Sequence, residues 1–96
     1  VFNNSMYGTI RMHQEREYPT RVSGTELANP DFARLAEAHG ALGLRVERTA
    51  EFAPAFAQAL AAERPALIEI VMDQEAITPR QSLSAIRAAA LARGKH

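Results

Sequence analysis

Apolar and polar positions alternate along this chain in blocks whose periods change, and the changes mark the elements. Val1-Phe2 reads as the end of a strand, and Asn3-Asn4-Ser5 as turn chemistry. Residues 7–17 suit a helix with Ile10 and Gln14 on one face. Tyr18-Pro19 ends it, because the residue before a proline avoids the helical region. Residues 19–28, with Gly24, read as a loop. Asn29-Pro30 predicts a helix start, with Asn as the cap and Pro in the first turn. Phe32, Leu35, Ala36 and His39 come next at helical spacing, and Gly40 suits the left-handed position beyond the helix end.

Residues 44–47 alternate and predict a strand with one wet face. Thr49 is the expected cap of the next helix, where Phe52, Ala55, Phe56, Ala59 and Leu60 make an apolar stripe destined for the core. Pro54 is expected to bend or delay the first turn of that helix. Residues 66–72 are almost all apolar, as in a parallel strand covered on both faces. Glu69 is the exception and needs a hydrogen-bond partner if buried. Residues 82–92 predict a short helix carrying Leu83, Ile86 and Leu91.

The order strand, helix, helix, strand, helix, strand, helix predicts an α/β fold: the C-terminal portion of an open, mainly parallel sheet flanked by helices. The chain opens on Val1-Phe2-Asn3-Asn4, with no initiator Met and already inside an apolar run, so the expectation is an incomplete sheet in a fragment of a larger protein.

Composition narrows the function. With 96 residues, 47% hydrophobic and 23% charged, the chain has the make-up of a small globular domain. Lys plus Arg is 11 and Asp plus Glu is 11, and this balance argues against nucleic acid as the partner. Cys is absent, which excludes disulfides, thiolate metal sites and a Cys nucleophile. No apolar run approaches the ~20 residues of a membrane span, so no membrane partner is expected. Neither GxGxxG nor a P-loop is present, which disfavours a nucleotide binder.

In open α/β sheets, ligands sit outside the carboxyl ends of the strands, where Asn3-Asn4 falls. An Asn side-chain oxygen and a nearby carbonyl suit Mg²⁺ or Ca²⁺, and the start of the helix after them suits an anion. By spacing alone, the pair reads as a turn or as a metal site.

The run VFNNSMYGTIRMHQEREYP resembles the closing half of the thiamine-diphosphate signature, in which Gly-Asp-Gly precedes Asn-Asn. GTELANPDFARLAEAHGALGLRVERTAEF and RPALIEIVMDQEAITP resemble the stretches downstream of that signature in the acetolactate synthase, benzoylformate decarboxylase and glyoxylate carboligase group. The resemblance covers almost the whole chain. It implies thiamine diphosphate and Mg²⁺ as cofactors, and a decarboxylase or carboligase acting on a 2-oxo acid or related carbonyl donor. Residues 1–75 would be the C-terminal half of the cofactor-binding domain, and residues 76–96 a tail with a short helix.

By the resemblance, Asn4 would bind Mg²⁺ through its side chain and Met6 through its carbonyl. Ser5, Met6, Tyr7 and Gly8 would lie against the diphosphate. Thr9 and Ile10 would line the substrate pocket without transferring the essential proton, and Asn3 would brace the turn. No catalytic residue is expected in these 96 residues, which alone should be inactive. The Gly-Asp-Gly carboxylate and the glutamate that activates the aminopyrimidine would lie in missing N-terminal parts of the same enzyme. The resemblance also implies a cytoplasmic homodimer or homotetramer taking a small-molecule substrate. Where acetolactate synthases generally carry Gln-Trp, this chain has Met12-His13-Gln14 and no Trp, so the resemblance reaches the group and not acetolactate synthesis proper. The alternative function is a non-catalytic structural or regulatory module on the same fold.

Other residues have plainer readings. His13 and Glu17 stand i, i+4, as metal ligands can, but with Glu15 and Arg16 they read as a solvated charged face. His39 reads as structural at a helix C-terminus, where a cation is favoured. Tyr7 and Tyr18 read as packing residues, with Tyr7 close enough to the Asn pair to touch the site. Arg80, Arg87 and Arg93 read as a solvated face, or as part of a tail folding over the active-site entrance. Lys95 and His96 read as the tail end.

Overall fold

The computed structural model describes residues 1–95; the tail reading at His96 falls outside the described residues. Eight elements occur in order: β1 (Phe2–Asn3), α1 (Gly8–Glu17), α2 (Phe32–Ala38), β2 (Leu42–Val46), a 3-10 turn (Thr49–Glu51), α3 (Phe52–Ala61), β3 (Ala66–Val71) and α4 (Leu83–Ala92). They form two compact units. One joins Val1–Asn3 to Asn29–Met72, and the other joins Asn4–Ala28 to the described residues from Asp73 onward.

The first unit is a three-stranded sheet in the order β1-β3-β2, parallel throughout. Parallel pairing with helices between strands gives the α/β class that the sequence predicts. β3 lies in the centre because it is the most apolar strand and both of its edges find partners. Phe2 stands opposite Ile70, and Leu42 opposite Ala66. The pairing reaches past the strand ends through Met72 N–H to the Asn3 carbonyl, 2.7 Å, and Leu42 N–H to the Pro65 carbonyl, 2.9 Å.

α2 begins two residues later than Asn29-Pro30 suggests. Asp31 is the cap, and its carboxylate accepts the Arg34 N–H at 3.1 Å. A carboxylate at this position satisfies an orphan N–H and meets the positive end of the helix dipole. The Asn29 side chain is engaged elsewhere, donating to Asn3 Oδ1 at 2.8 Å. Asp31→Ala should therefore cost about 1 kcal/mol in thermal denaturation, whereas Asn29→Ala should leave the α2 cap intact. The end of α2 is as expected: Gly40 donates to the Glu37 carbonyl and Ala41 to the Ala36 carbonyl, the paired bonds of a Schellman motif.

β2 starts at Leu42, two residues earlier than the alternation indicates, because the bond from Leu42 N–H to Pro65 already extends the ladder. Thr49 does not cap α3 with its side chain. The 3-10 turn that it starts is held by the Glu51 carboxylate, which accepts the Glu47 and Arg48 N–H groups at 3.0 and 2.8 Å. Those backbone donors, Glu47 first, hold the Glu51 carboxyl below the usual carboxylate range. Pro54 sits in the first turn of α3, where a missing N–H has no partner to lose.

Two burial expectations are overturned. Phe52 and Phe56 are not core: they stack with centroids 5.8 Å apart and are 40% and 49% exposed, and Leu60 is more exposed still. α3 buries no residue completely, because the short three-stranded sheet beneath it covers only part of its stripe. β3 is likewise not covered on both faces; its only buried residue is Glu69. Glu69 has a partner for one oxygen only: Asn3 Nδ2 donates to its Oε2 at 3.0 Å, while the buried Oε1 makes no hydrogen bond among the described residues and has only the charge of Arg45 Nη1, 3.7 Å away.

In the second unit α1 packs on α4. Ser82 caps α4, accepting the Ala85 N–H at 3.1 Å, and Leu83, Ile86 and Ala90 are buried. Leu91 is not in that buried face; it is 38% exposed, one position beyond Ala90. The solvated-face reading fails at two residues. Glu15 is buried, and Arg87 reaches it through two hydrogen bonds of 2.6 and 2.8 Å. Glu17 and His13 are exposed as expected, and Glu17 pairs with Lys95 Nζ at 2.7 Å rather than with His13.

Candidate functional site

The residues expected to hold the cofactor, Asn4 to Ile10, all lie in the second unit. Ser5 has a φ of +59°, a left-handed conformation that non-glycine residues rarely adopt outside tight turns. Asn4 closes the turn through its own side chain, its Oδ1 accepting the Met6 N–H at 3.3 Å. The chain then passes beside residues 25–27. Tyr7 N–H donates to the Thr25 carbonyl and Leu27 N–H to the Ser5 carbonyl, both at 2.9 Å.

These two bonds flank the antiparallel bridge between Met6 and Glu26. Met6 is thus the member of a pair whose own N–H and carbonyl point away from the partner segment. Its N–H goes to Asn4 Oδ1, so its carbonyl lies on the Asn4 side of the chain. The Met6 side chain is buried, 5% exposed. Sequence reading treats residues 19–28 as a plain loop and misses this brace. A single bridge has no periodicity to betray it.

α1 starts directly after the bridge. Tyr7 is its N-cap and makes no side-chain capping bond, and Arg11 N–H closes the first turn on the Tyr7 carbonyl at 2.8 Å. The Tyr7 side chain thus leaves the first-turn N–H groups without a capping bond, at the positive end of a ten-residue helix. The Tyr7 ring is half exposed, and Thr9 and Ile10 are exposed on the same first turn.

Gly8 is the first helical residue, and its missing side chain matters. A Cβ there would lie 2.9 Å from Asn4 Nδ2 and 3.1 Å from Ile77 Cδ1. The Asn4 amide occupies the space that any larger residue would fill.

This arrangement fits the pair of ligands that the sequence suggests. The Asn4 amide oxygen and the Met6 carbonyl are hard oxygens on one side of a braced segment, as Mg²⁺ requires. The uncapped start of α1 suits a diphosphate. Among the described residues there is no group of three or more His, Cys, Asp and Glu that could hold a metal, and none includes His13 and Glu17. No helix among them is long and apolar enough to cross a membrane. In the first unit, Asn3 braces Glu69 through its Nδ2 and receives Asn29 at its Oδ1.

Comparison with known proteins gives a family match. Residues 1–70 match the family described as thiamine pyrophosphate enzyme, C-terminal TPP binding domain; thiamine pyrophosphate is another name for thiamine diphosphate. The chain is 35% identical over 75 residues to the mitochondrial acetolactate synthase catalytic subunit of Saccharomyces cerevisiae, covering 78% of this chain and 11% of that protein. It is 36% identical over 73 residues to acetolactate synthase of Bacillus subtilis, covering 76% of this chain and 13% of the relative. It is also 37% identical over 82 residues to acetolactate synthase of Mycobacterium bovis, covering 79% and 13%. The chain thus spans 11–13% of the length of these relatives.

Proposed function

Because this chain belongs to the thiamine pyrophosphate enzymes, within their C-terminal cofactor-binding domain, we propose that it serves a thiamine-diphosphate- and Mg²⁺-dependent decarboxylase or carboligase of the acetolactate synthase type. Its substrate would be a 2-oxo acid or related carbonyl donor. The observation that carries this reading is the segment Asn4 to Gly8, where two hard oxygens and an uncapped helix start stand within a few residues.

Each residue then has a role. Asn4 Oδ1 and the Met6 carbonyl hold Mg²⁺, and the first-turn N–H groups of α1 with Ser5 to Gly8 receive the diphosphate. Thr9 and Ile10 line the pocket and exclude water from it. When bound, thiamine diphosphate would supply the nucleophile and the electron sink that decarboxylation or carboligation needs. One side-chain ligand and one carbonyl do not complete an octahedral Mg²⁺ site, so these 96 residues alone are expected to be inactive. The remaining ligands and the activating glutamate would come from other parts of a longer protein. Residues 1–75 would then be the C-terminal half of the cofactor-binding domain and residues 76–96 its tail. A cytoplasmic homodimer or homotetramer belongs to the same reading.

The test is a thermal melt of the full-length protein with and without thiamine diphosphate plus Mg²⁺, beside Asn4→Ala. Ligand at ~100 times its dissociation constant should add about 2.7 kcal/mol of stability to the parent. Asn4→Ala should lose that shift. A parent protein that melts at the same temperature with and without cofactor would end the proposal and favour a non-catalytic module.

A further inference from the structure

Asn4 is held from a second direction, by the segment after β3. Gln74 Nε2 donates to the Asn4 backbone carbonyl at 3.0 Å. Three residues on, the Ile77 side chain reaches the point above Gly8 that the Asn4 amide also reaches. A Cβ placed on Gly8 would meet Asn4 Nδ2 and Ile77 Cδ1 at nearly equal distances, 2.9 and 3.1 Å. The segment is itself fixed. Asp73 Oδ1 accepts the Glu75 N–H at 3.0 Å, and the Glu75 carboxylate takes the Ser84 N–H and hydroxyl at the start of α4, 3.1 and 2.7 Å.

The terminal torsion of an Asn side chain is broad and roughly two-fold, so nothing intrinsic decides which way its amide oxygen points. Here one side of the amide is committed: Oδ1 faces the Met6 N–H. The other side, Nδ2, lies over Gly8, where the Ile77 Cδ1 methyl also comes close. A half-turn of the amide would bring Nδ2 against the Met6 N–H, donor against donor. Mg²⁺ demands near-ideal octahedral geometry at about 2.0–2.1 Å, so its affinity is sensitive to the direction of a ligand oxygen.

We propose that Gln74 and Ile77 are positioning residues for the cation, Gln74 holding the Asn4 backbone and Ile77 packing on the Gly8 side of the Asn4 amide. This rests on the reading of Asn4 as a Mg²⁺ ligand. Removal of supporting partners of metal ligands typically costs 10–100-fold in metal affinity. Ile77→Ala and Gln74→Met should each raise the Mg²⁺ dissociation constant about 10-fold at saturating thiamine diphosphate.

The experiment is a Mg²⁺ titration of the full-length protein with thiamine diphosphate present, read by calorimetry, with a melting temperature recorded for each variant without ligand. Ile77→Leu keeps a δ-methyl that can reach Gly8 and should restore near-parent Mg²⁺ affinity. Gln74 is exposed, so Gln74→Met tests the idea even if Ile77→Ala fails to fold. A structural role alone would lower the melting temperature and leave the Mg²⁺ constant unchanged, and that result overturns the proposal. If the parent binds Mg²⁺, Asn4→Ala loses it and both segment variants match the parent, the positioning role falls while the reading of Asn4 stands. If the parent itself takes no Mg²⁺, both fall together.

Discussion

Gly43→Ala is expected to cost at least ~3 kcal/mol, although it adds a single methyl group to a half-buried strand. The Cβ would overlap the Ala33 carbonyl oxygen and lie 2.7 Å from its carbon and 2.9 Å from the Ala33 Cα. All three are backbone atoms of α2, so no side chain can rotate away. Either α2 moves off the sheet or β2 bends. α2 has seven residues and depends on its contact with β2 and β3 to stay folded. Overpacking normally costs about 1–3 kcal/mol, and a clash with backbone belongs at or above the top of that range. Urea denaturation would read the loss as a lower midpoint. A Gly43→Ala midpoint within the equivalent of ~0.5 kcal/mol of the parent would mean that α2 does not approach β2 so closely.

Gly43 also shows where sequence reading stops. The alternation Leu42, Leu44, Val46 is enough to predict a strand, because period-two patterning is local. That Gly43 must be glycine depends on a helix ten residues earlier in the chain, and no window across residues 42–46 contains it. Asp31 is a similar case. Asn-Pro looks like the stronger helix start, but Asn29 is occupied by Asn3, a partner far off in sequence. The order and type of the elements are legible from periodicity, whereas caps and close approaches are not.

For the candidate site the split falls differently. The segment Asn4 to Gly8 is legible through its likeness to a family motif, which the match over residues 1–70 bears out as family membership. The contacts that hold that segment are not legible. The Met6–Glu26 bridge and the Gln74 bond link residues 20 and 70 positions apart, through single contacts without a pattern. The apolar stripe of α3 misleads for another reason. Periodicity says that a face wants burial, not what buries it. Phe52, Phe56 and Leu60 remain exposed over a sheet of only three strands.

Removing one partner of the Glu15–Arg87 pair should have unequal consequences, depending on which partner goes. Glu15 is almost fully enclosed, 1% exposed in its side chain, while Arg87 is 33% exposed. Arg87→Met leaves a buried carboxylate with only Arg11, 3.3 Å away, and the Thr20 N–H, 3.4 Å away, to offset its desolvation. Breaking a buried pair in this way costs about 3–5 kcal/mol. Glu15→Gln leaves a guanidinium that can turn toward water and should cost less. The double variant should recover part of the Arg87→Met loss, since the buried carboxylate is then gone.

Acid should act on the same pair. The Arg87 guanidinium, supported by the Thr20 N–H and Arg11, holds the Glu15 carboxyl below its ordinary value despite the opposing effect of burial. A carboxyl depressed in the folded state contributes stability that is fully present above its unfolded value and is lost as pH falls through the folded one. Exposed Glu17, lowered by Lys95, has the same sign. Stability measured from neutral pH downward should therefore hold until the ordinary glutamate range and fall below it. Glu15→Gln should flatten that acid limb while Glu17→Gln changes it little. An acid limb of unchanged slope in Glu15→Gln would assign the loss to other carboxylates and leave the pair a packing contact rather than an electrostatic one.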